Sequence, residues 1–392
     1  MALTEVQEFM VMHAHDSPSE LTLKYRKKLP FDIGAVALQI GLRKKALKKI
    51  PAFINSKTVL LPKLYEQCTQ EEVAKYKATL IKGTSLLDAT AGLGVDSYYI
   101  GQLFKQRTCI EANAEHAQLL KHNYEALNFE AEIIHTSLEE FLANDQRVFD
   151  TIYIDPDRRP EFNRKVFEID ECTPNVLELK DQLLSRCQSC WIKLSPMVDI
   201  HQVVTSFFSN ISQLICIAYG NEMKEILIQL KPGNQVIRYE AVNITNEGIT
   251  HFQSNKNDVK PLLSLPGKFF FEPNVAMIKS KLCMEYSHEK QLKVLYPNGY
   301  FFTTDAYKPD LQGRLFEIIE HGQYKKELLN AIIKKHQIKK ANIACRNFFW
   351  KPEEVKQQFK LHDGGEWYLF CYADAEKKPQ TIWAKKIVDG AL

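Results

Sequence analysis

Short apolar runs alternate with amphipathic stretches through the middle of the 392-residue chain. The apolar runs are typical of buried strands, and the stretches between them have helical spacing. The strand-like runs are LLDAT (86–90), RTCIEAN (107–113), AEIIHTS (131–137), FDTIYID (149–155) and SCWIKLS (189–195). This alternation predicts a parallel sheet with helices on both faces. Two more apolar runs, within 213–230, predict an antiparallel pair that ends the unit.

The regions on either side of this unit have other patterns. Residues 1–80 carry apolar positions at helical spacing and predict a helical region. Scattered strand-like runs with Pro and Gly predict a small mixed α+β domain, of ferredoxin-like type, over 232–311. The last quarter predicts an α/β module that begins with a helix over 311–336. The chain therefore divides into four predicted parts: 1–80, 81–231, 232–311 and 312–392.

Composition places the chain among ordinary globular proteins. It is 45% hydrophobic and 25% charged, and no segment offers the roughly 18 apolar residues of a membrane span. The N-terminus lacks the basic start and apolar run of a signal peptide, so we predict a cytoplasmic protein without a membrane partner. Nine scattered cysteines argue against a disulfide framework. Cys187 and Cys190 have metal-ligand spacing but no second ligand pair, so we predict no metal site.

Charge is distributed unevenly along the chain. Residues 1–80 carry a net charge of +5 (13 Lys and Arg against 8 Asp and Glu), and residues 312–392 also carry +5 (15 against 10). Residues 81–311 carry −7 (23 against 30). Basic ends around an acidic body are typical of terminal modules that meet a polyanion such as RNA. The alternative is that the basic runs KYRKK (24–28) and RKKALKK (43–49) and the lysine pairs at 325, 334 and 339 are only solvated helix faces.

The segment DATAGLG (88–94) follows the first predicted strand and precedes a helix. Gly92 and Gly94 let the backbone approach a ligand closely. Glu111 ends the next strand, 23 positions after Asp88, where an acid can accept hydrogen bonds from ribose hydroxyls. A dinucleotide fingerprint would have a third glycine where Ser97 stands, and an acidic loop suits the cationic amino and sulfonium groups of S-adenosylmethionine better than a pyrophosphate.

The segment LLDATAGLGVDS with Glu111 resembles the cofactor loop of class I S-adenosylmethionine-dependent methyltransferases, a resemblance that covers roughly residues 83 to 230. It implies a Rossmann-like α/β core that binds S-adenosylmethionine. The methionine end would lie at the glycine loop, the ribose at Glu111 and the adenine beside the residues after the third strand. The implied cofactor residues are Asp88, Ala89, Gly92, Gly94, Glu111, Ser137, Leu138 and Asp155.

The fourth predicted strand runs into DPDRR (155–159). In methyltransferases of this fold the fourth strand ends beside the transferable methyl group, and nitrogen-methylating members carry an acid or amide there, followed by Pro-Pro and an aromatic residue. Asp155 and Pro156 match the first half of that pattern, whereas Asp157 and Arg158 depart from it. The resemblance implies that Asp155 positions an amino group, and Arg158 or Arg159 could stack on a base or bind a phosphate. An ion pair that only shapes the loop is the alternative.

Two further candidates follow the fifth predicted strand. Ser195 stands in the region where some relatives carry the cysteine nucleophile for carbon-5 methylation of pyrimidines, and a hydroxyl is a poor substitute for a thiolate. Transfer to nitrogen or to a ribose 2′-oxygen is therefore favoured over covalent carbon chemistry. Lys193 is either a substrate contact or a charge at the rim of the site.

Several other stretches resemble a bacterial group of methyltransferases that end in a THUMP-like domain. They are LYEQCTQEEVAKYKA (64–78), YIDPDRRP, KLSPMVDI, GNEMKEIL, FFEPNVAMIKS and RNFFWKPEEVKQQFKLHDGGEWYLF. True THUMP domains deliver RNA to an attached modifying domain, so the resemblance implies RNA as a partner. The aromatic run Phe348, Phe349 and Trp350 either stacks on bases or packs in the core.

Together these features predict an S-adenosylmethionine-dependent methyltransferase that acts on a nitrogen of structured RNA. Two alternatives stay open. One is an RNA-binding protein with an inactive methyltransferase-like core, and the other is a methyltransferase that acts on DNA, protein or a small molecule.

Overall fold

The computed structural model describes residues 2–54, 57–158, 169–256, 259–297 and 299–387. The chain divides into two compact units: the first comprises Met1–Leu214 and Glu225–Val236, and the second comprises Ile215–Lys224 and Ile237–Leu392. The division predicted from the sequence into four parts stays a prediction.

The first unit begins with the α-helices of the N-terminal region, which the sequence predicts to be helical, and continues as an alternation of strands and helices. The N-terminal helices are α1 (Ala2–Met12), α2 (Pro18–Lys24), α3 (Ile33–Ala46), α4 (Pro62–Gln67) and α5 (Glu71–Leu80). The next elements are β1 (Ser85–Asp88), α6 (Val95–Ile100), β2 (Gln106–Glu111), α7 (Ala114–Ala126), β3 (Glu132–His135), α8 (Leu138–Asn144), β4 (Phe149–Ile154), β5 (Asp157–Arg158), β6 (Cys172–Thr173), α9 (Val176–Ser185), β7 (Cys187–Leu194) and α10 (Ile200–Phe207). A hairpin of β8 (Ile211–Tyr219) and β9 (Glu222–Leu230) follows.

The sheet of this unit has the order β8-β9-β7-β4-β1-β2-β3. β1 pairs in parallel with β2 and β4, and the same direction continues through β3 and β7. β9 pairs antiparallel with β7. The central strands are buried on both faces, which explains their continuous apolar sequences. The predicted doubly wound sheet is therefore confirmed, and its parallel strands all end at one edge.

Side-chain caps fix where several helices of the first unit begin. The Asn113 side chain accepts a hydrogen bond from His116 N at the start of α7. Ser137 and Glu140 form a capping box at the start of α8, in which each side chain accepts from the other residue's backbone N–H. These caps satisfy N–H groups that have no partner within the helix. The cap at Ser137 also sets the position of the loop that follows β3.

The N-terminal helices are joined to the wound part of the first unit by specific hydrogen bonds. The Asn123 side chain on α7 accepts from Val59 N at 2.8 Å and donates to Val59 O at 3.1 Å. Asn123 is fully buried, and both of its bonds replace hydrogen bonds to water. The segment before α4 is thus held against α7, which places α4 and the start of α5 beside the ends of the parallel strands.

The second unit contains the outer half of the β8–β9 hairpin, a further hairpin and a seven-stranded sheet. Its elements are β10 (Arg238–Thr245), β11 (Gly248–Ser254), β12 (Phe269–Pro273), α11 (Val275–Ser280), α12 (Cys283–Glu289), β13 (Lys293–Val294), β14 (Phe302–Thr304), β15 (Gly313–Gln323), α13 (Lys326–Lys335), β16 (Asn342–Arg346), α14 (Pro352–Phe359), β17 (Trp367–Ala373) and β18 (Pro379–Lys386). The large sheet has the order β13-β14-β12-β15-β18-β17-β16. Strands from both sides of residue 311 therefore pair in one sheet.

One predicted helix is wrong in its first half. The sequence predicts a single helix over 311–336, but Gly313–Gln323 is an 11-residue strand and only Lys326–Lys335 is helical. β15 pairs with β12 on one side and with β18 on the other, and Phe316 is fully buried between them. Long-range pairing of this kind overrides local helical spacing, and β-branched and aromatic residues fit it well.

Candidate active site

The glycine loop between β1 and α6 opens onto a cavity at the carboxyl end of the parallel strands. Gly94 caps α6 with φ +85°, a left-handed conformation that favours glycine. A Cβ atom at Gly94 would lie 2.4 Å from Leu120 Cδ1, so only glycine fits between the loop and α7. At Gly92 (φ +54°) a Cβ atom would approach only Leu64 Cδ2, at 4.0 Å, so this part of the backbone is open to a ligand.

The cavity has a volume of about 300 Å³ and brings all eight predicted cofactor residues together. Its walls include Asp88, Ala89, Gly92, Gly94, Glu111, Ser137, Leu138, Asp155 and Asp157. Pro156 is buried directly after Asp155, and Lys193 contacts Asp155 from behind the wall. Ser195 lies in the turn after β7, where its Oγ accepts a hydrogen bond from Met197 N. Arg159 lies outside the described residues, and so does the Arg158 side chain.

Carboxylates dominate the side chains that line this cavity. Among the side chains that the structure describes, six acids line it, namely Asp88, Asp96, Glu111, Glu139, Asp155 and Asp157, against one lysine and one histidine, Lys63 and His116. An acidic cavity disfavours a pyrophosphate and favours a cationic ligand. Because S-adenosylmethionine carries a sulfonium and an amino group, the charge of the walls fits this cofactor.

Backbone hydrogen bonds fix the Glu111 carboxylate at the wall of the cavity. Its Oε2 accepts from Gly92 N at 3.0 Å, and its Oε1 accepts from Asn113 N at 2.9 Å. Two backbone N–H groups therefore fix the carboxylate at the end of β2, and its remaining lone pairs can accept hydrogen bonds from ribose hydroxyls. The geometry fits the role implied by the sequence, which stays a prediction.

Asp88 at the end of β1 is almost completely buried, with 1% of its surface exposed. Its Oδ1 accepts a hydrogen bond from Thr90 N at 3.0 Å. Burial raises the pKa of the Asp88 carboxyl to about 7, with Thr90 opposing the shift and the carboxylates of Asp96 and Asp155 adding to it. The ionisation of the Asp88 carboxyl should therefore change near neutral pH.

The DATAGLG loop and the end of β4 are hydrogen-bonded to each other. Ala89 N donates to Tyr153 O at 2.9 Å, and Asp155 N donates to Thr90 Oγ1 at 2.7 Å. The two motifs found in the sequence are thus joined in one structure. The Asp155 side chain stays partly accessible, with 31% of its surface exposed, while its Oδ2 accepts a hydrogen bond from Lys193 Nζ.

A buried ionic network extends behind the cavity, and most of its members were not identified from the sequence. Lys77 on α5 is fully buried, and its Nζ lies 2.7 Å from Asp96 Oδ1, 3.0 Å from Glu225 Oε1 and 2.9 Å from Tyr153 OH. Asp96 Oδ2 accepts from Tyr153 OH and from Thr69 Oγ1, both at 2.7 Å. The N-terminal helical region therefore contributes directly to the site.

Lys193 links this network to the cavity. Its Nζ contacts Asp155 Oδ2, and it lies 3.3 Å from Thr69 Oγ1 and 3.9 Å from Asp96 Oδ2. Burial would lower the pKa of Lys193, but Asp155 and the other carboxylates raise it above the usual lysine value. For Asp96 burial would raise the pKa, but Lys77 and Lys193 lower it to about 2. Both side chains are therefore charged at neutral pH.

The spacing of apolar residues along α5 could have identified Lys77 from the sequence. Val73 and Ala74 are fully buried and precede Lys77 by four and three positions, so all three share one helix face. A lysine on the apolar face of a helix predicts a buried partner carboxylate. The identity of that partner cannot be obtained in this way, because Asp96 and Glu225 are distant in the sequence.

Neither a metal cluster nor a membrane-spanning helix is present among the described residues. Among the described residues, His, Cys, Asp and Glu side chains form no group of three or more that could hold a metal ion. Cys187 and Cys190 lie in β7 and are both buried. No helix in the described ranges has the length and apolar composition that a bilayer crossing requires.

The affinity for S-adenosylmethionine should depend on pH because the Asp88 carboxyl ionises near neutral pH. Between pH 5.5 and 7.5 the affinity for S-adenosylmethionine should rise roughly tenfold, because the carboxylate form of Asp88 attracts a cationic ligand and its pKa is about 7. Asp88→Asn should bind more weakly at pH 7.5 and with little pH dependence, and Asp88→Ala should lose micromolar binding. Isothermal titration calorimetry measures these affinities. An equally steep rise in Asp88→Asn would assign the titration to another group.

Comparisons with known proteins agree with this geometry. A family model described as "Conserved hypothetical protein 95" matches residues 66–177, and one described as "THUMP domain-like" matches residues 313–386. Two uncharacterised S-adenosylmethionine-dependent methyltransferases, from Mycobacterium tuberculosis strains CDC 1551 and H37Rv, are each 22% identical over 326 residues, which are 82% of this chain and 87% of theirs.

A solved structure extends the similarity to the whole chain. It is a protein from Porphyromonas gingivalis W83 that is provisionally assigned as a methyltransferase, with a TM-score of 0.86, 27% identity and coverage of 98% of both chains. The doubly wound sheet, the acidic cofactor cavity and these matches lead to one conclusion. The chain is a class I S-adenosylmethionine-dependent methyltransferase with a C-terminal THUMP-like domain.

Proposed function

We propose that the enzyme transfers the methyl group of S-adenosylmethionine to a nitrogen of structured RNA, with Asp155 as the residue that positions the acceptor. The observation that carries this proposal is the place of Asp155. Asp155 directly follows β4, its carboxyl group lines the same cavity as Asp88 and Glu111, and its side chain is nearly one third exposed. An acceptor amino group bound there would lie next to the bound cofactor.

Methyl transfer to a nitrogen requires mainly that the acceptor is positioned next to the methyl group of the cofactor. The cofactor supplies an electrophilic methyl group: the N–C bond forms as the S–C bond breaks, sulfur keeps the electron pair, and the acceptor nitrogen then releases a proton. Lys193 holds Asp155 Oδ2, so a single orientation of the carboxylate is favoured and Oδ1 can accept a hydrogen bond from the acceptor amino group. Burial raises the pKa of Asp155, and Lys193 opposes the shift.

Features of the second unit support RNA as the acceptor. The THUMP-like domain carries exposed lysines on and around α13, at positions 325, 326, 334, 339 and 340. Phe349 is 66% exposed and stacks on the partly buried Phe348 at 4.5 Å between ring centroids, so it is available to stack on a base. The basic N-terminal run supports the proposal less, because Arg43 and Lys49 donate hydrogen bonds to backbone carbonyls of their own unit.

Transfer of a radioactive methyl group tests the acceptor class. The purified enzyme is incubated with tritiated S-adenosylmethionine and with total RNA, genomic DNA or protein extract from cells that lack its gene. We expect label in RNA, sensitive to ribonuclease and recovered as an N-methylated nucleoside. Wild-type cells provide the matched control, because their RNA should already be methylated and should accept little label. Label in DNA or protein alone would contradict an RNA acceptor, and no label in any pool would support a binding protein with an inactive core.

A further inference from the structure

The buried network behind the cavity contains an odd number of charges. Its members are the ammonium groups of Lys77 and Lys193 and the carboxylates of Asp96, Asp155 and Glu225, which are joined by the ion pairs described above. With all five groups ionised, the network carries a net charge of −1. Lys77 is fully buried, and the side chains of Asp96 and Glu225 are 10% and 4% exposed.

The net negative charge of these five groups lies close to the cavity. Asp96 and Asp155 line the cavity, and so does Asp88 directly beside the glycine loop. Tyr153 OH and Thr69 Oγ1 donate hydrogen bonds to Asp96, and Thr69 Oγ1 also lies near Lys193 Nζ. The Asp96 carboxylate is therefore hydrogen-bonded to protein groups and not to bulk water. In such surroundings a unit charge several ångströms away changes a binding constant roughly tenfold or more. Salt screens this effect far less than it screens surface charges.

A cation bound in the cavity would stabilise such a network. Burial of a net charge without a partner is unfavourable, and a ligand that supplies the missing positive charge removes that cost. S-adenosylmethionine has a sulfonium, whereas S-adenosylhomocysteine has a neutral thioether in its place. The two ligands otherwise share all the groups that the glycine loop and Glu111 would bind.

We propose that the Lys77–Asp96–Glu225–Lys193–Asp155 network discriminates by charge between the cationic methyl donor and its neutral product. The inference rests on the proposed cofactor site and adds a function to the network behind it. Lys77 and Glu225, which do not line the cavity, act as positioning residues that set the charge felt within it. After transfer the site holds a ligand that no longer neutralises the network, which favours exchange of product for fresh donor.

Two isosteric variants remove one negative charge at different distances from the ligand. Asp96→Asn changes a residue that lines the cavity. Glu225→Gln changes a residue that does not line the cavity and pairs with Lys77. Glu71→Gln is the control: Glu71 is equally buried and lies on the same helix as Lys77, but it pairs with Lys75 and with Ala52 N outside the network. Thermal unfolding establishes that each variant is folded.

Isothermal titration calorimetry then gives the affinities for three probes. They are S-adenosylmethionine, S-adenosylhomocysteine and sinefungin, in which a protonated amine replaces the sulfonium. We expect Asp96→Asn and Glu225→Gln to lower the affinity for both cationic probes roughly tenfold relative to S-adenosylhomocysteine. The Glu71→Gln control should keep the wild-type ratios. Should Asp96→Asn fail to fold, Glu225→Gln alone carries the test.

The outcomes separate this inference from the proposed function. If the ratios are unchanged in the folded variants while the wild type still binds the cofactor, charge discrimination is wrong and the cofactor site stands. A change for S-adenosylmethionine but not for sinefungin would assign the effect to methyl contacts and would also overturn the inference. If none of the probes binds the folded wild type, both the cofactor site and the inference fail.

Discussion

Replacing Asp155 by Ala is expected to reduce methyl transfer to RNA by about a thousandfold or more. The carboxylate is the group at the end of β4 that can hold the acceptor amino group beside the methyl donor, and loss of a positioning contact of this kind costs orders of magnitude in rate. Binding of S-adenosylhomocysteine should change less than about threefold, because Glu111 and the glycine loop are untouched. Transfer of tritiated methyl groups to RNA from cells that lack the gene measures the rate.

Two further variants sharpen the Asp155 experiment. Asp155→Asn keeps an acceptor oxygen and should retain clearly more activity than Asp155→Ala, which a structural role would not predict. Asp150→Asn is the matched control on the same strand: Asp150 lies at the opposite end of β4, where its Oδ2 accepts from Thr84 N and Ser85 N. Its activity should stay near that of the wild type. An Asp155→Ala enzyme with wild-type activity would remove Asp155 from the mechanism.

Replacing Lys77 by Met should destabilise the first unit by about 3–5 kcal/mol. The substitution keeps the length of the side chain but leaves Asp96 and Glu225 buried without their main cation, and loss of one partner of a buried ion pair has a cost of this size. Hydrogen exchange of peptides from β1 and β4 is the suitable measurement, because it follows the first unit alone. These peptides should lose much of their protection.

The stability of the Lys77→Met variant should depend on pH through the Glu225 carboxyl. Burial raises the pKa of Glu225, and Lys77 opposes that shift, so the pKa of Glu225 rises further in the variant. The folded variant then binds more protons than its unfolded chain, and its stability falls as pH increases. The loss relative to wild type should therefore be smaller at pH 5 than at pH 8.

Lys75→Met is the control on the same helix. Lys75 is 47% exposed and pairs with Glu71 and Glu72 at 3.0 and 2.8 Å. Exposed pairs contribute little, so the control should lose less than about 1 kcal/mol. Equal losses in the two variants would show that Lys77 acts only through its helix and not through the buried network.

The predicted helix over 311–336 shows where a local pattern fails. Spacing alone could not distinguish β15 from a helix, because Phe316 and its neighbours satisfy either arrangement until the partner strands are known. β12 and β18 supply those partners from positions about 45 residues before β15 and about 65 after it.

The sequence by itself determined the alternation of strands and helices and the two motifs, DATAGLG and Asp155-Pro156, that meet at the cavity. Those features are local: buried parallel strands need continuous apolar runs, and a left-handed turn such as that at Gly94 favours glycine. Only the tertiary structure decided which charges are buried together. Lys77, Asp96, Lys193 and Glu225 come from four distant elements, and their pairing follows from the cost of burying a charge without a partner, which no local pattern encodes.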